Sequence, residues 1–183
     1  AGVRQINNPL AGLDGTFLAL LGAGFKEKKS MGFISCERPL YSAEGVNVLV
    51  EESKEKDYFS TVSNIEYPDF TRKNIEEVPL TSQSPYSSFP SNTNILYINL
   101  KALNQALQKC TLPGALINMK TLVPFIDING NKQQIKGGRL ESTMQNIADY
   151  MQIKRSKPLS KKDFKQLKTF ALFSPRFKTI SPT

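Results

Sequence analysis

Ser84-Pro85-Tyr86-Ser87-Ser88-Phe89-Pro90-Ser91-Asn92-Thr93-Asn94 followed by Ile95-Leu96-Tyr97-Ile98-Asn99 is the stretch from which this chain's organisation unfolds. The first part is rich in Ser, Pro and Asn and has no apolar period, so it reads as loop. Asn94 to Asn99 then reads as a strand. Leu100 to Gln108 reads as a helix, because Leu100, Leu103 and Leu107 recur on one face. A polar loop thus feeds a strand and a helix, the unit of an α/β layer.

Towards the N-terminus, Val3 to Ile6 is a short strand candidate with a turn through Asn7-Asn8-Pro9. Leu13 to Leu21 has helical spacing, with Asp14 placed in its first turn and Gly22 and Gly24 placed to stop it. Met31 to Cys36 and Val46 to Val50 are β-rich runs separated by Glu44-Gly45, which reads as a hairpin with Glu51 just past its second strand. Tyr58 to Ser91 reads as a long loop with short elements. Towards the C-terminus, Leu122 to Ile128 and Lys132 to Ile135 flank Asn129-Gly130, a strong hairpin signal. Leu140, Met144, Ile147 and Met151 mark an amphipathic helix, and Phe170 to Phe173 a last strand that runs into Ser174-Pro175-Arg176-Phe177-Lys178. Strands alternating with helices predict an α/β domain with a mixed or parallel sheet.

The chain has 183 residues, the size of one domain or of part of a larger one. No apolar run reaches the roughly 18 residues of a membrane span, and the first residues do not have the pattern of a signal peptide. A protein of the cytoplasm with no membrane partner is the expectation. Histidine is absent and the two cysteines, Cys36 and Cys110, stand far apart. That removes Ser-His and Cys-His nucleophiles and clustered Cys/His zinc sites, leaving carboxylates, amides, lysines and backbone for any chemistry. Two reduced thiols are the simplest reading of the cysteines. The net charge is +8, and Lys154, Arg155, Lys157, Lys161, Lys162, Lys165, Lys168, Arg176 and Lys178 against Asp163 alone (nine less one) account for all of it. Such a basic segment, 154–183, can attract a polyanion. A solvated face is the commoner cause, and the absence of interleaved stacking aromatics disfavours nucleic acid.

The motifs and their order resemble the sugar-binding half of the eukaryote-type UDP-sugar and UDP-N-acetylglucosamine pyrophosphorylases. The family's Val-Glu-Tyr strand end, its Ser-Pro-Phe-Pro-Gly-Asn-Ile-Asn-like segment and its Lys-x-x-x-Arg-Leu-Glu-like segment find counterparts in Val50-Glu51, in Ser84 to Asn94 and in Lys136-Gly137-Gly138-Arg139-Leu140-Glu141. The resemblance implies a Rossmann-like nucleotidyltransferase fold of the GT-A-like kind with a mixed sheet, present as an incomplete second half and occupying residues 1–183. It implies UTP-dependent uridylyl transfer to a hexose 1-phosphate, with the remainder of its own catalytic domain as a partner.

Residue by residue, Asn7 in Val3-Arg4-Gln5-Ile6-Asn7-Asn8-Pro9 stands where the family has an Asp that helps hold Mg²⁺ on the nucleotide phosphates. A neutral amide is a weaker ligand for that ion than a carboxylate. Gly32 is similar to a glycine whose backbone approaches the sugar, or is an ordinary strand glycine. Glu51 matches the acid that accepts hydrogen bonds from sugar hydroxyls; a solvated strand-end acid is the alternative, and Glu52 departs from the aromatic often found beside it. Asn92, with Asn94 as a second candidate, matches the sugar-binding amide, which donates and accepts at once, or is a turn former after Pro90. Val123-Pro124-Phe125-Ile126-Asp127 resembles the family's Pro-Tyr-Val-Asp hairpin, a structural element. Lys136 and Arg139 flank glycines that could bring backbone amides to an anion at a helix start, unless Arg139 caps a neighbouring element. In Ser174-Pro175-Arg176-Phe177-Lys178 the phosphate-contacting lysine of the family corresponds to Lys178 rather than Arg176.

The family's glycine-rich triphosphate loop has no counterpart here, which implies a fragment inactive alone. Two other readings stay open: a degenerate, non-catalytic sugar-nucleotide binder, suggested by Asn7, and a basic anion- or nucleic-acid-binding module built on Lys154 to Lys178.

Overall fold

The computed structural model describes residues 1–6, 8–11 and 15–180. In chain order the elements are β1 (Gly2–Val3), α1 (Gly15–Lys26), β2 (Met31–Cys36), β3 (Val46–Lys54), β4 (Asp57–Ile65), α2 (Tyr67–Arg72), β5 (Ser91–Ile98), α3 (Leu100–Leu107), β6 (Ala115–Ile126), β7 (Lys132–Ser142), β8 (Ile153–Arg155), β9 (Thr169–Phe173) and α4 (Arg176–Thr179), with 3₁₀ turns at Met144–Tyr150 and Lys161–Gln166. The main sheet has seven strands in the order β8-β4-β3-β5-β2-β9, with β1 added to β5. Among the described residues only β2 and β9 run parallel, Met31 opposite Thr169 and Ser35 opposite Phe173; the other pairings of this sheet are antiparallel. The mixed α/β architecture expected from the sequence is present.

β2 lies inside the sheet with both faces covered, so all six of its residues are buried and, Ser35 apart, it reads as an apolar run, without charged or amide side chains. On one face Leu20 of α1 packs with Ile34, Ile95 and Tyr97. On the other, Met31, Phe33, Leu96 and Ile98 pack against Ala106 of α3 and Ile147 and Ala148 of the 3₁₀ turn.

Several expected elements differ. The helix near the N-terminus runs through Gly22 and Gly24 to Lys26. Gly24 is there for contact: a Cβ on it would lie 2.5 Å from the Tyr97 ring. β2 and β3 do not form a hairpin; β3 pairs with β4 along its whole length, Val46 opposite Ile65 and Lys54 opposite Asp57, across a turn with Glu55 at φ +56°. β4 therefore occupies the first part of the expected long loop. Its polar residues Ser60, Thr61, Ser63 and Asn64 are buried, and that hid the strand from a reading based on apolar period. The helix expected from Leu140 begins only at Met144, as a 3₁₀ turn, because residues up to Ser142 are claimed by β7.

The Asn129-Gly130 hairpin is longer than expected: β6 and β7 form a separate two-stranded ribbon, Ala115 opposite Ser142 and Ile126 opposite Lys132. Its turn is organised by Asp127, whose carboxylate accepts from Asn131 N (2.8 Å), Asn129 N (2.9 Å), Asn131 Nδ2 (3.1 Å) and Gln133 Nε2 (3.0 Å). These donors, the Asn131 amide first, hold the Asp127 carboxyl below its ordinary value. Gly130 supplies the left-handed residue at φ +84°. Along the ribbon Ile117, Leu122, Ile126 and Leu140 are exposed.

Candidate functional site

A patch of buried amides and hydroxyls interrupts the apolar core where β2 ends. Asn47 and Asn64 are opposite each other on β3 and β4, so their side chains share a face. Ser35 is opposite Asn92 on β2 and β5. Asn47 Nδ2 donates to Ser35 Oγ (2.8 Å), which puts the two pairs together. Asn64 Nδ2 donates to Glu66 Oε1 (2.8 Å), an oxygen that Gln145 Nε2 also approaches at 3.4 Å. Asn146 Nδ2 holds the Asn64 carbonyl at 3.0 Å. The Oδ1 atoms of Asn47 and Asn64 are buried and meet no donor among the described residues. A buried acceptor without a donor costs about 1–3 kcal/mol.

Gly45 closes the patch: a Cβ there would lie 2.7 Å from Asn64 Oδ1 and 3.2 Å from Glu66 Oε1. Its carbonyl accepts from Asn92 N (2.8 Å). Asn92 Nδ2 donates to Asn94 Oδ1 (2.8 Å), and Asn94 sits at φ +56° where β5 shifts register against β2. The bulge turns the amides of this segment away from the regular ladder.

Alternation puts Cys36 and its partner Ser91 on the opposite face. There Arg176 grips Glu44 with two nitrogens, Nη2 to Oε1 at 2.5 Å and Nη1 to Oε2 at 3.0 Å, and Ser91 Oγ donates to the same carboxylate. Burial alone would raise the Glu44 carboxyl, but the hydrogen bonds from Arg176 and Ser91 and the charges of Arg176 and Arg38 hold it below its ordinary value. The Glu44 bond raises Arg176 in turn. Arg38 is buried; it donates to Glu77 and to the carbonyl of Glu44. Burial pushes the Cys36 thiol up, against a hydrogen bond with Thr179 and the Arg176 charge.

The sequence-predicted residues are dispersed. Asn92 and Asn94 lie in the patch. Lys178 is exposed on α4, its Nζ 5.9 Å from the Phe177 ring centroid, two residues from the Arg176 grip. Gly32 lies upstream on β2, where a Cβ would lie 2.4 Å from Phe170, so its bare backbone seats that ring. Glu51 is exposed in mid-strand, five residues or roughly 16 Å of strand beyond Val46. It accepts from Ser60 Oγ (2.9 Å) and Leu159 N (2.8 Å). Lys136 and Arg139 lie in mid-strand on the β7 ribbon, where the glycines between them open no helix; Arg139 pairs with Glu141. Asn7 lies outside the described residues.

No known family profile matches the chain. A curated relative does: UTP–glucose-1-phosphate uridylyltransferase 3, chloroplastic, of Arabidopsis thaliana is 39% identical over 153 residues, covering 81% of this chain and 17% of that protein. The fold agrees. A mutant UDP-glucose pyrophosphorylase from Leishmania major superposes with a TM-score of 0.53 at 20% identity, over 100% of this chain and 34% of that one. An Entamoeba histolytica structure described as a UDP-N-acetylglucosamine pyrophosphorylase gives 0.51 at 16% identity, over 88% and 34%. This chain is a partial relative of the UDP-sugar pyrophosphorylases. It spans about a third of the solved structures it matches and less of the curated relative.

Of the residues in the patch, sequence reasoning picked out Asn92 and Asn94 and missed Ser35, Gly45, Asn47, Asn64 and Glu66. The signal for Glu66 was available. Ile65-Glu66-Tyr67 is an apolar-Glu-Tyr triplet at a true strand end, since β4 stops at Ile65 and α2 starts at Tyr67. Only the unrecognised strand concealed it. Among the described residues no helix is long and apolar enough to cross a membrane, and no group of three or more acidic or cysteine side chains is placed to hold a metal.

Proposed function

We propose that this chain is the sugar-binding part of an enzyme that transfers the uridylyl group of UTP to a hexose 1-phosphate. The single observation that carries this reading is the pair of donor-starved acceptors, Asn47 Oδ1 and Asn64 Oδ1, beside Glu66, Asn92 and the bare backbone of Gly45. A sugar ring is a cluster of hydroxyl donors, and acceptors without protein partners are what it needs, reached directly or through a bridging water. Glu66 would take hydroxyls on its carboxylate, the stronger kind of bond. Asn92 and Asn94 would fix the ring's orientation, Gly45 lets Asn64 and Glu66 close against its bare backbone, and Lys178 would neutralise the phosphate. Glu51 and Gly32 have structural employment on this reading, and Lys136 and Arg139 would act only if the ribbon is brought against substrate.

In the proposed reaction a phosphate oxygen of the sugar 1-phosphate attacks the α-phosphorus of UTP, a P–O bond forms and pyrophosphate leaves with the electron pair of the bond that breaks. The work of this chain is to position and to neutralise, with no nucleophile of its own. Mg²⁺ would supply charge neutralisation on the phosphates; such ions are held chiefly by substrate phosphates and one or two protein oxygens. UTP, the hexose 1-phosphate and the rest of the catalytic domain are the proposed partners. The cytoplasmic compartment expected from sequence stands beside the plastid of the Arabidopsis relative, and imaging a tagged full-length protein separates the two.

The test is uridylyl transfer by the full-length protein with UTP, Mg²⁺ and either glucose 1-phosphate or N-acetylglucosamine 1-phosphate, comparing wild type with Glu66→Gln and Glu51→Gln. Turnover that falls with Glu66→Gln and survives Glu51→Gln supports the reading. Binding of UDP-glucose without turnover would replace the enzyme by the degenerate binder.

A further inference from the structure

We propose that Arg176 is a positioning residue that, through Glu44, locks the phosphate-facing turn to the sugar-facing turns; this rests on the reading of Asn92 and Lys178 as substrate contacts. The links run in one chain. The Arg176 guanidinium holds both oxygens of Glu44 (2.5 and 3.0 Å), and Glu44 Oε2 accepts from Ser91 Oγ. Ser91 is the neighbour of Asn92, and Glu44 is the neighbour of Gly45, whose carbonyl takes Asn92 N at 2.8 Å. On its other side Arg176 is anchored by its backbone N to Glu37 Oε2 (2.6 Å) and by Nη1 to the Glu37 carbonyl (3.2 Å). The short α4 turn that follows brings Lys178 N to Pro175 O at 3.0 Å. Thus one side-chain pair sets where both Asn92 and Lys178 stand.

Two consequences follow from the chemistry. A guanidinium engaged by two carboxylate oxygens has a fixed plane and direction, which an ammonium cannot reproduce. The same engagement occupies the Arg176 fork, and Lys178, which has no ion pair among the described residues, is the other cation of this turn. A substrate with hydroxyls at one end and a phosphate at the other gains only if both contacts are at the right separation, and small misplacements are costly. The pair is about one quarter exposed on each side, 28% and 26%, so it is partly shielded from solvent.

The experiment is equilibrium binding of two probes, glucose 1-phosphate and inorganic phosphate, to the full-length protein and its variants Arg176→Lys, Glu44→Gln and the double variant. Ser91→Ala, which removes only a hydroxyl, is a milder break should either charge change unfold the protein. Wild type is expected to prefer glucose 1-phosphate. In each variant that preference falls about 10-fold while phosphate affinity stays within about two-fold, and the double variant is no worse than either single, since the two residues act as one unit. An unchanged preference overturns the proposal, and so does an equal loss for both probes, which is the mark of a merely structural ion pair. A wild type without any preference would instead remove the sugar-site reading itself, an outcome recognisable before any variant is made.

Discussion

The two faces of the sheet at the end of β2 carry polar groups of similar kind, and they are treated in opposite ways. On the Cys36 face each charge has an opposite within reach: Arg176 with Glu44, Arg38 with Glu77, and Ser91 bound to Glu44. On the Ser35 face, two buried amide oxygens meet no donor among the described residues. Complete networks fix geometry, whereas incomplete ones cost stability and persist where something else completes them. Under the proposed function, the Cys36 face is the construction face and the Ser35 face the recognition face.

The comparison can be broken most severely at Arg38. Arg38→Met leaves Glu77 as an uncompensated, nearly buried carboxylate, and about 3–5 kcal/mol of unfolding free energy should go with it. Chemical denaturation measures this, and a loss under about 1 kcal/mol would show that the construction face is not structural. Next in size is Glu66→Gln on the recognition face. It should weaken glucose 1-phosphate binding about 10- to 100-fold, the worth of a charge-assisted bond, with little change in melting temperature.

Asn64→Leu sharpens the contrast further. It deletes the bond to Glu66 but also the orphaned acceptor, so stability should move by less than about 1 kcal/mol while binding weakens about 10-fold. A large destabilisation without a binding defect would transfer Asn64 to the construction side. The smallest effect is in the pH dependence of Glu44. Its carboxyl is held below its ordinary value when folded, so the ion pair's stabilisation is complete above the unfolded pKa and is lost as pH falls through the lower folded one. Glu44→Gln should therefore flatten the acid limb of a stability-versus-pH curve and leave neutral pH less affected by titration.

Legibility in the sequence followed burial. β2 was read with its observed bounds because a strand covered on both faces is mostly apolar, Ser35 being its single hydroxyl. The Asn129-Gly130 turn was read because the dipeptide carries its own conformational preference. β4 was not, since Ser60, Thr61, Ser63 and Asn64 turn hydroxyls and amides inward, and a polar interior has no hydrophobic period to find. Losing β4 also hid Glu66, the acid that the proposed function sets beside the expected Glu51, a residue engaged by Ser60 and Leu159. Helix α1 was cut short at Gly22 and Gly24, of which Gly24 serves Tyr97 and Gly22 faces open space. The Arg176 to Glu44 grip joins segments that no local pattern relates.

The parallel pairing of β2 with β9 sets an order of events for a growing chain. Met31 finds its parallel partner only when Thr169 has been made, and β9 covers the edge that β2 otherwise leaves bare. Until then β2 can pair only with β5 on its other side. Contacts so distant in sequence make folding slow, because the loop between them must close before it is rewarded. A ribosome-bound chain short of Thr169 would present an apolar, unpaired strand edge, and that interval is when a chaperone has most to do.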